Sequence, residues 1–163
     1  MARCLIIGCG CRGQALTVRL RAAGHSVRGT TRDPAHAPAI QAAGAEVHVG
    51  DPDRIATIAP AFDHTGVVVI LLGSATGEPE RLTELFDTRM DMLLERMLDT
   101  TARAVVFEAA GPAGPQLLAT GAARVRHWCE RSLIPYRLIE THPADHPAWL
   151  EAAETAVLAA LGA

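Results

Sequence analysis

A glycine-rich hexad, Gly8-Cys9-Gly10-Cys11-Arg12-Gly13, lies between the first apolar run of the chain and its first helical pattern. This spacing in this place favours dinucleotide binding over a helix start that is glycine-rich by chance. Gly8 allows a tight turn, Gly10 lets the backbone approach a pyrophosphate, and Gly13 lets the helix pack on the strand. Free N–H groups at the helix N-terminus would bind the anion. The predicted cofactor contacts of this segment are Gly8, Gly10, Cys11, Arg12 and Gly13.

The end of the second predicted strand decides between NAD and NADP. An NAD protein needs a carboxylate there for the ribose 2′-hydroxyl, whereas an NADP protein needs a cation for the 2′-phosphate. Thr31 falls at the acidic position and Arg32 follows it. Because the forked donors of arginine suit a phosphate, we predict NADP, with contacts from Thr31 and Arg32. The alternatives are a solvated loop arginine, or a shifted register that would place Asp33 on the ribose and favour NAD.

Small and acidic residues follow the next two predicted strands. Asp51 comes after the third strand, where it would accept a hydrogen bond from the adenine amino group. Capping the helix that begins near Ile55 is an equal alternative. Gly73 and Ser74 follow the fourth strand, where they would let the cofactor ribose lie against the sheet edge or would form a plain turn.

The composition excludes several mechanisms. All 15 side chains in the Lys and Arg class are arginine, so no Schiff base, Walker A lysine or Tyr–Lys proton relay is possible. The net charge of −3 gives no reason to expect nucleic acid. The longest uncharged apolar run, 66–73, is too short to span a bilayer, and no signal peptide is expected. We expect a cytoplasmic protein with reduced thiols.

Other reactive groups are weaker candidates. Cys9 and Cys11 lack the spacing and further ligands of a metal site, so we predict small loop residues and no metal. His142 and His146 follow the sixth predicted strand, where a histidine could protonate a substrate, but neighbouring prolines favour a solvated turn. Glu108 is the best-placed carboxylate, and a capping or salt-bridged role is favoured for it. We therefore assign no catalytic residue.

Strand and helix patterns alternate along the chain without a linker or repeat. The predicted strands are 4–7, 26–31, 46–49, 66–72, 104–107 and 136–139, and the predicted helices are 14–23, 35–43, 55–62, 80–100, 115–132 and 147–161. Such alternation predicts an α/β fold with a doubly wound, mostly parallel six-stranded sheet and helices on both faces. Residues 1–163 are expected to form a single domain.

Several of these segments resemble the atypical and extended short-chain dehydrogenase/reductases, the NAD(P)-dependent epimerase/dehydratase-like proteins. The segments are Ile7-Gly8-Cys9-Gly10 with Arg12-Gly13, Ala23-Gly24-His25-x-Val27, Gly29-Thr30-Thr31-Arg32-Asp33-Pro34, Gly44-Ala45-Glu46-Val47, Gly50-Asp51 and the strand 68–73. The resemblance implies an NAD(P)-binding Rossmann fold. It places the three loop glycines on the pyrophosphate, Arg32 on the 2′-phosphate and Asp51 on the adenine.

The sequence departs from that family in its catalytic half. No serine follows the fifth predicted strand, Tyr136 is the only tyrosine, and no lysine exists to accompany it. The substrate domain of extended members would begin about where this chain ends. We therefore expect an NADP(H)-binding protein that acts as a small oxidoreductase on an unknown substrate. The alternatives are a non-catalytic NAD(P) sensor or regulator, and a hydroxyacid-dehydrogenase-type N-terminal domain without its helical partner domain.

The predicted helix 80–100 has a broad apolar face that includes three methionines. The equivalent helix of the resembling family often pairs with its symmetry mate. We therefore predict a homodimer through residues 82–98. The alternative is a fully buried helix in a monomer.

Overall fold

Six parallel strands form one sheet in the order β3-β2-β1-β4-β5-β6. The computed structural model describes all residues from Met1 to Ala163. The strands are β1 (Arg3–Ile7), β2 (Ser26–Thr31), β3 (Glu46–Val49), β4 (Val67–Ile70), β5 (Ala104–Glu108) and β6 (Tyr136–Ile139). This arrangement confirms the predicted doubly wound Rossmann-type α/β fold, and its strand order is that of dinucleotide-binding sheets.

Seven α-helices cover the two faces of the sheet. They are α1 (Cys11–Ala22), α2 (Ala37–Ala42), α3 (Ile55–Ile58), α4 (Pro79–Phe86), α5 (Thr88–Leu98), α6 (Pro115–Arg131) and α7 (His146–Leu161). One core lies between the sheet and α3 to α6, and the other lies under α1, α2 and α7. Strand β4 alternates between them, with Val68 and Ile70 in the first core and Val67 and Val69 in the second. Both of its faces are buried, which explains its uninterrupted apolar sequence.

The helix predicted over 80–100 is wrong as a single element, because two helices occupy this segment. The helical conformation is interrupted at Asp87, where φ is −116° and ψ is −93°. The Asp87 carboxylate pairs with Arg124 of α6. The apolar residues of both helices are buried in the chain's own core, and Met92 is the large apolar side chain left exposed, at 44%. Packing within the monomer therefore accounts for the broad apolar face. A homodimer through 82–98 stays a prediction.

All six strands present their carboxyl ends to the same edge of the sheet, since every neighbouring pair is parallel. Strand order reverses between β1 and β4, so the connections leaving these two strands run to opposite faces and open a crevice at that edge. A shorter segment also differs from its prediction: the helix expected over 55–62 ends at Ile58 and continues as a 3-10 turn through Pro60. None of the helices has the length and apolarity needed to cross a membrane.

Candidate functional site

A cleft of about 880 Å³ opens at the carboxyl edge of β1, β2, β3 and β4. Its 20 lining residues are Gly8, Cys9, Gly10, Cys11, Arg12, Gly13, Thr30, Thr31, Arg32, Asp33, His36, Gly50, Asp51, Pro52, Leu71, Leu72, Ser74, Ala75, Arg81 and Leu85. Every residue predicted from the sequence to contact a cofactor lines this cleft except Gly73, which is buried behind Ser74. The fold therefore brings the separate sequence motifs to one place.

The glycine loop forms the floor of the cleft beside the start of α1. Gly8 has a φ of +84°, and its N–H donates to Thr30 Oγ1 of β2 at 3.1 Å. A Cβ at Gly10 would meet no protein atom within 4 Å. By contrast, a Cβ at Gly13 would lie only 3.2 Å from Cγ2 of Ile6 on β1, so that glycine serves helix-to-strand packing. The absence of a side chain at Gly10 is thus not required by the protein's own packing and leaves space for a ligand.

The first turn of α1 offers backbone donors to that space. The helix begins at Cys11, its N-cap is Gly10, and no side chain caps it. The N–H groups of a first turn have no partner within their own helix, and the helix dipole adds partial positive charge there. No acidic residue lies in this turn to compete for them. These features fit the pyrophosphate of a dinucleotide.

The end of β2 separates the roles of three consecutive residues. Thr31 is buried, and its hydroxyl accepts from the Asp33 N–H at 3.2 Å and donates to the Asp33 carbonyl at 3.1 Å. The Asp33 carboxylate caps the following 3-10 turn by accepting from the Ala35 N–H at 2.9 Å. Arg32 is exposed at the cleft and makes no hydrogen bond or ion pair with the protein. The cation is therefore free at this position, and the neighbouring carboxylate has one oxygen engaged in a cap.

Asp51 lies at the far end of the cleft, after β3. Its Oδ1 accepts from the Asp53 N–H at 2.9 Å, which closes a local turn. It does not cap the next helix, because α3 begins at Ile55 with Arg54 as its N-cap. Oδ2 of Asp51 makes no hydrogen bond within the protein. One carboxylate oxygen is thus available to a ligand in the cleft.

The side chain of Arg12 points across the edge of the sheet rather than along the glycine loop. Its Nη2 lies 2.8 Å from both carboxylate oxygens of Glu108, and its Nε lies 3.2 Å from Oε2. Its Nη1 donates to Ser74 Oγ at 2.9 Å. The Glu108 side chain is 0% exposed and also accepts from the Gly73 N–H at 2.8 Å. The favoured salt-bridged interpretation of Glu108 describes this geometry.

The indole of Trp149 also contacts the Arg12 guanidinium. The guanidinium carbon of Arg12 lies 5.3 Å from the ring centroid of Trp149, which is fully buried on α7. This distance is within the range of a cation–π interaction. The imidazole of His146 stacks on the same indole, with the two ring centroids 6.4 Å apart. The guanidinium is thus fixed by a carboxylate, a hydroxyl and an aromatic ring.

The other candidate groups do not join the cleft as acids or bases. His142 Nδ1 accepts from the Ala144 N–H at 3.1 Å, so this histidine closes a turn. Tyr136 is the first residue of β6, at the edge opposite the cleft, and its hydroxyl donates to Glu130 at 2.9 Å. No group of three or more His, Cys, Asp or Glu side chains is arranged to hold a metal ion.

The cysteines differ in exposure. Cys11 is exposed at the cleft, whereas Cys4, Cys9 and Cys129 are buried. Burial raises the pKa of Cys4 and of Cys129 from 9.0 to about 12, and that of Cys9 from 9.0 to about 11. The buried thiols are therefore protonated at neutral pH, as structural cysteines are.

Sequence patterns did not predict several residues of the cleft. Arg81 on α4 donates from Nε to Asp53 Oδ2 at 2.6 Å and from Nη1 to the Thr76 carbonyl at 2.8 Å, which joins the loops after β3 and β4. Leu71, Leu72 and Leu85 form an apolar wall beside it. Thr30 also lines the cleft and was not predicted. Its position one residue before the end of β2 is the signal that could have identified it. Arg81 lies beyond any strand end, so no comparable signal exists for it.

Comparisons with known proteins agree with this geometry. Residues 8–145 match a family model described as NAD(P)H-binding. Similar solved structures include a short-chain dehydrogenase/reductase superfamily protein from Agrobacterium tumefaciens with bound NAD, with 18% identity and a TM-score of 0.67 over 83% of this chain and 48% of that one. A Citrobacter sp. triphenylmethane reductase complexed with NADP(H) has 15% identity and a TM-score of 0.64 over 84% of this chain and 48% of that one.

A third solved structure extends the likeness to the epimerases. The UDP-glucose 4-epimerase of Thermotoga maritima has 13% identity and a TM-score of 0.71 over 83% of this chain and 54% of that one. This chain thus spans about half the length of these structures. No curated protein matches the sequence. At these identities the solved structures establish the fold, which is the fold that the resemblance implied.

Proposed function

Because this chain belongs to the NAD(P)H-binding family, whose model it matches over residues 8–145, we propose that it binds NADP(H) in the cleft through the 2′-phosphate. One observation carries the choice of NADP. Arg32 lies exposed at the cleft and has no partner in the protein. An unpaired guanidinium at this position favours a phosphate.

The remaining parts of the cofactor have candidate partners along the cleft. The backbone of Gly8, Gly10 and the first turn of α1 would hold the pyrophosphate, since Gly10 leaves open space in front of free donors. Oδ2 of Asp51 would accept from the adenine amino group. The buried hydroxyl of Thr31 would act indirectly, by fixing the turn that carries Arg32.

The test is a comparison of NADPH and NADH binding by calorimetry with matched arginine variants. We expect Arg32→Ala to weaken NADPH binding by roughly 10- to 100-fold, the effect of losing charged hydrogen bonds, and to leave NADH binding unchanged. Arg126→Ala is the control, because Arg126 is also exposed and unpaired but lies on α6, away from the cleft. Equal affinities for the two cofactors, insensitive to Arg32→Ala, would exclude the 2′-phosphate assignment.

Oxidoreductase activity of the short-chain type is the first candidate use of the bound cofactor. NADPH supplies a hydride when it is bound in such proteins. The chain has no lysine and its only tyrosine is at the opposite edge, so the proton would have to come from water or a loop histidine. NADPH consumption with a panel of quinones, aldehydes and flavins tests this use. Turnover that Arg32→Ala abolishes and Arg126→Ala retains would support it.

A non-catalytic NADP(H) sensor or regulator is the second candidate. The observation that favours it is the bridge between Arg12 and Glu108, which fills the sheet edge after β5 with a saturated ion pair. A carboxylate bonded in this way has no free oxygen to offer a substrate. NADPH binding without turnover above the buffer rate, across the whole panel, would support the sensor.

A homodimer through residues 82–98 is also part of the proposal. The surface available to it is the exposed side of α5 around Met92. Light scattering at micromolar concentration distinguishes the dimer from the 17.2 kDa monomer. Met92→Glu is expected to dissociate the dimer, and a monomer mass for the unmodified chain would exclude it.

A further inference from the structure

The cleft is confined to one half of the sheet edge. All its lining residues lie between Gly8 and Leu85, and none comes from β5, β6 or the helices that follow them. On the side towards β5 the cleft ends at Arg12 and Ser74. A dinucleotide that lay along the whole edge would need space on both sides of this boundary.

The boundary is a closed set of contacts rather than a mobile side chain. Three hydrogen bonds of 2.8 to 3.2 Å hold Arg12 on the carboxylate of Glu108, and a fourth of 2.9 Å joins Arg12 to Ser74. Glu108 is 0% exposed, so movement of Arg12 into solvent would leave a buried carboxylate without its counter-charge. We name this set of three side chains the Arg12 bridge.

The region behind the Arg12 bridge is densely packed. A Cβ added to Gly73 would lie 2.5 Å from Glu108 Oε1, and the Gly73 carbonyl accepts from the Ala113 N–H at 2.8 Å. Trp149 fills the space below the guanidinium. The loops after β4 and β5 are therefore in direct contact where a second half-site would have to open.

We propose that the Arg12 bridge closes the cleft beyond the pyrophosphate, so that the chain binds NADP(H) by its 2′-phospho-ADP part and leaves the nicotinamide ring in solvent. This inference rests on the proposed NADP(H) binding, specifies which part of the ligand is recognised, and favours the sensor over the oxidoreductase. It assigns Arg12 a double role: its backbone N–H faces the pyrophosphate, while its side chain limits the cleft.

The first test compares NADPH with 2′-phospho-ADP-ribose, which lacks the nicotinamide ring. We expect their dissociation constants to agree within about twofold, because a ring in solvent contributes no binding free energy. Tenfold tighter binding of NADPH would overturn the inference while leaving the proposed function intact. If neither compound binds, the proposed function fails and the inference fails with it.

The second test measures access to the ring directly. Phenazine methosulfate takes a hydride from C4 of the dihydronicotinamide of NADPH, which yields NADP⁺ and the reduced phenazine. With the protein in saturating excess, we expect the oxidation rate to equal that of free NADPH. A tenfold slower rate, restored by Arg32→Ala protein that does not retain the cofactor, would show that the ring is enclosed and would overturn the inference.

Variants of the bridge complete the test. Arg12→Met combined with Glu108→Gln removes both charges together and keeps an acceptor for the Gly73 N–H. Ser74→Ala is the milder variant and removes a single hydrogen bond from an exposed residue. We expect NADPH to bind several-fold more tightly than 2′-phospho-ADP-ribose in the double variant, and an intermediate ratio in Ser74→Ala. An unchanged ratio in both folded variants would overturn the role of the bridge.

Discussion

Arg12 and Glu108 are 96 residues apart in the sequence, and three hydrogen bonds of 2.8 to 3.2 Å join their side chains. The pair connects the first turn of α1 with the carboxyl end of β5, on opposite sides of the strand β4 that separates β1 from β5. Both oxygens of the buried carboxylate have two donors each when the Gly73 N–H is included on Oε1. The two halves of the sheet edge are thus tied together at the end of the cleft.

Removal of one partner of this pair should be far more costly than removal of both. We expect Arg12→Ala to lower the free energy of unfolding by about 3–5 kcal/mol, because it leaves the Glu108 carboxylate buried and unpaired. Arg12→Met with Glu108→Gln should cost markedly less, since no buried charge remains. Urea denaturation at pH 7 measures both variants against the unmodified protein.

An exposed ion pair provides the matched control for this prediction. Arg19 and Glu154 approach to 2.8 Å, but the arginine side chain is 49% exposed. We expect Arg19→Ala to cost only about 0–1 kcal/mol, as surface pairs do. If Arg12→Ala and Arg19→Ala lowered the free energy of unfolding equally, the buried pair would contribute no more to stability than the exposed pair.

Local patterns predicted the cleft well, because a parallel sheet brings every strand's carboxyl end to one edge. The hexad 8–13, Arg32 and Asp51 each follow a strand directly, so their meeting required only the strand order. The Arg12 bridge depends instead on the direction of a long side chain and on a partner 96 residues away. The spacing of apolar residues within one element does not indicate such a contact. The sequence did place Glu108 just beyond a predicted strand.

The break at Asp87 shows the same limit in a helix. The apolar spacing of 82–98 continues through this residue without interruption, so periodicity predicts one helix. The backbone leaves the helical region there, and the Asp87 side chain pairs with Arg124 of α6. A tertiary contact thus accompanies a boundary that the apolar spacing does not mark. Most of the apolar width of 82–98 is also buried within the monomer, and the homodimer stays a prediction.

Cys11 offers a chemical probe of the cleft. It is the exposed cysteine, at the first position of α1, and the other three are buried. We expect iodoacetamide to modify Cys11 alone in the folded protein, and saturating NADPH to slow the reaction at least tenfold by covering the loop. Intact-mass spectrometry counts the modified thiols, with urea-unfolded protein as the control for all four. The same rate with and without NADPH would place the cofactor elsewhere.

The buried thiols predict a loss of stability in alkaline solution. The pKa of Cys129 is raised by burial from 9.0 to about 12, so the folded state retains its proton at pH values where the unfolded state loses it. Its contribution to stability is complete below about pH 9 and is lost as the pH rises towards 12, by up to ~1.4 kcal/mol per pH unit. Cys129→Ala should therefore show a smaller drop in unfolding free energy between pH 9 and 10.5. Parallel curves for the two proteins would contradict this.

Gly10 and Gly73 lack a side chain for different reasons. Gly10 leaves space for a ligand, whereas the packing around Gly73 leaves no space for a side chain. A Cβ at Gly10 would meet no protein atom within 4 Å, and φ there is −80°, so Gly10→Ala should change the unfolding free energy by under ~1 kcal/mol. The added methyl group would occupy the approach to the pyrophosphate, so we expect NADPH binding to weaken at least tenfold. A Cβ at Gly73 would press on Glu108, and Gly73→Ala should cost about 1–3 kcal/mol of stability. Thermal unfolding and NADPH titration of both variants measure the contrast. Normal NADPH binding by the Gly10→Ala protein would show that the pyrophosphate does not bind at the glycine loop.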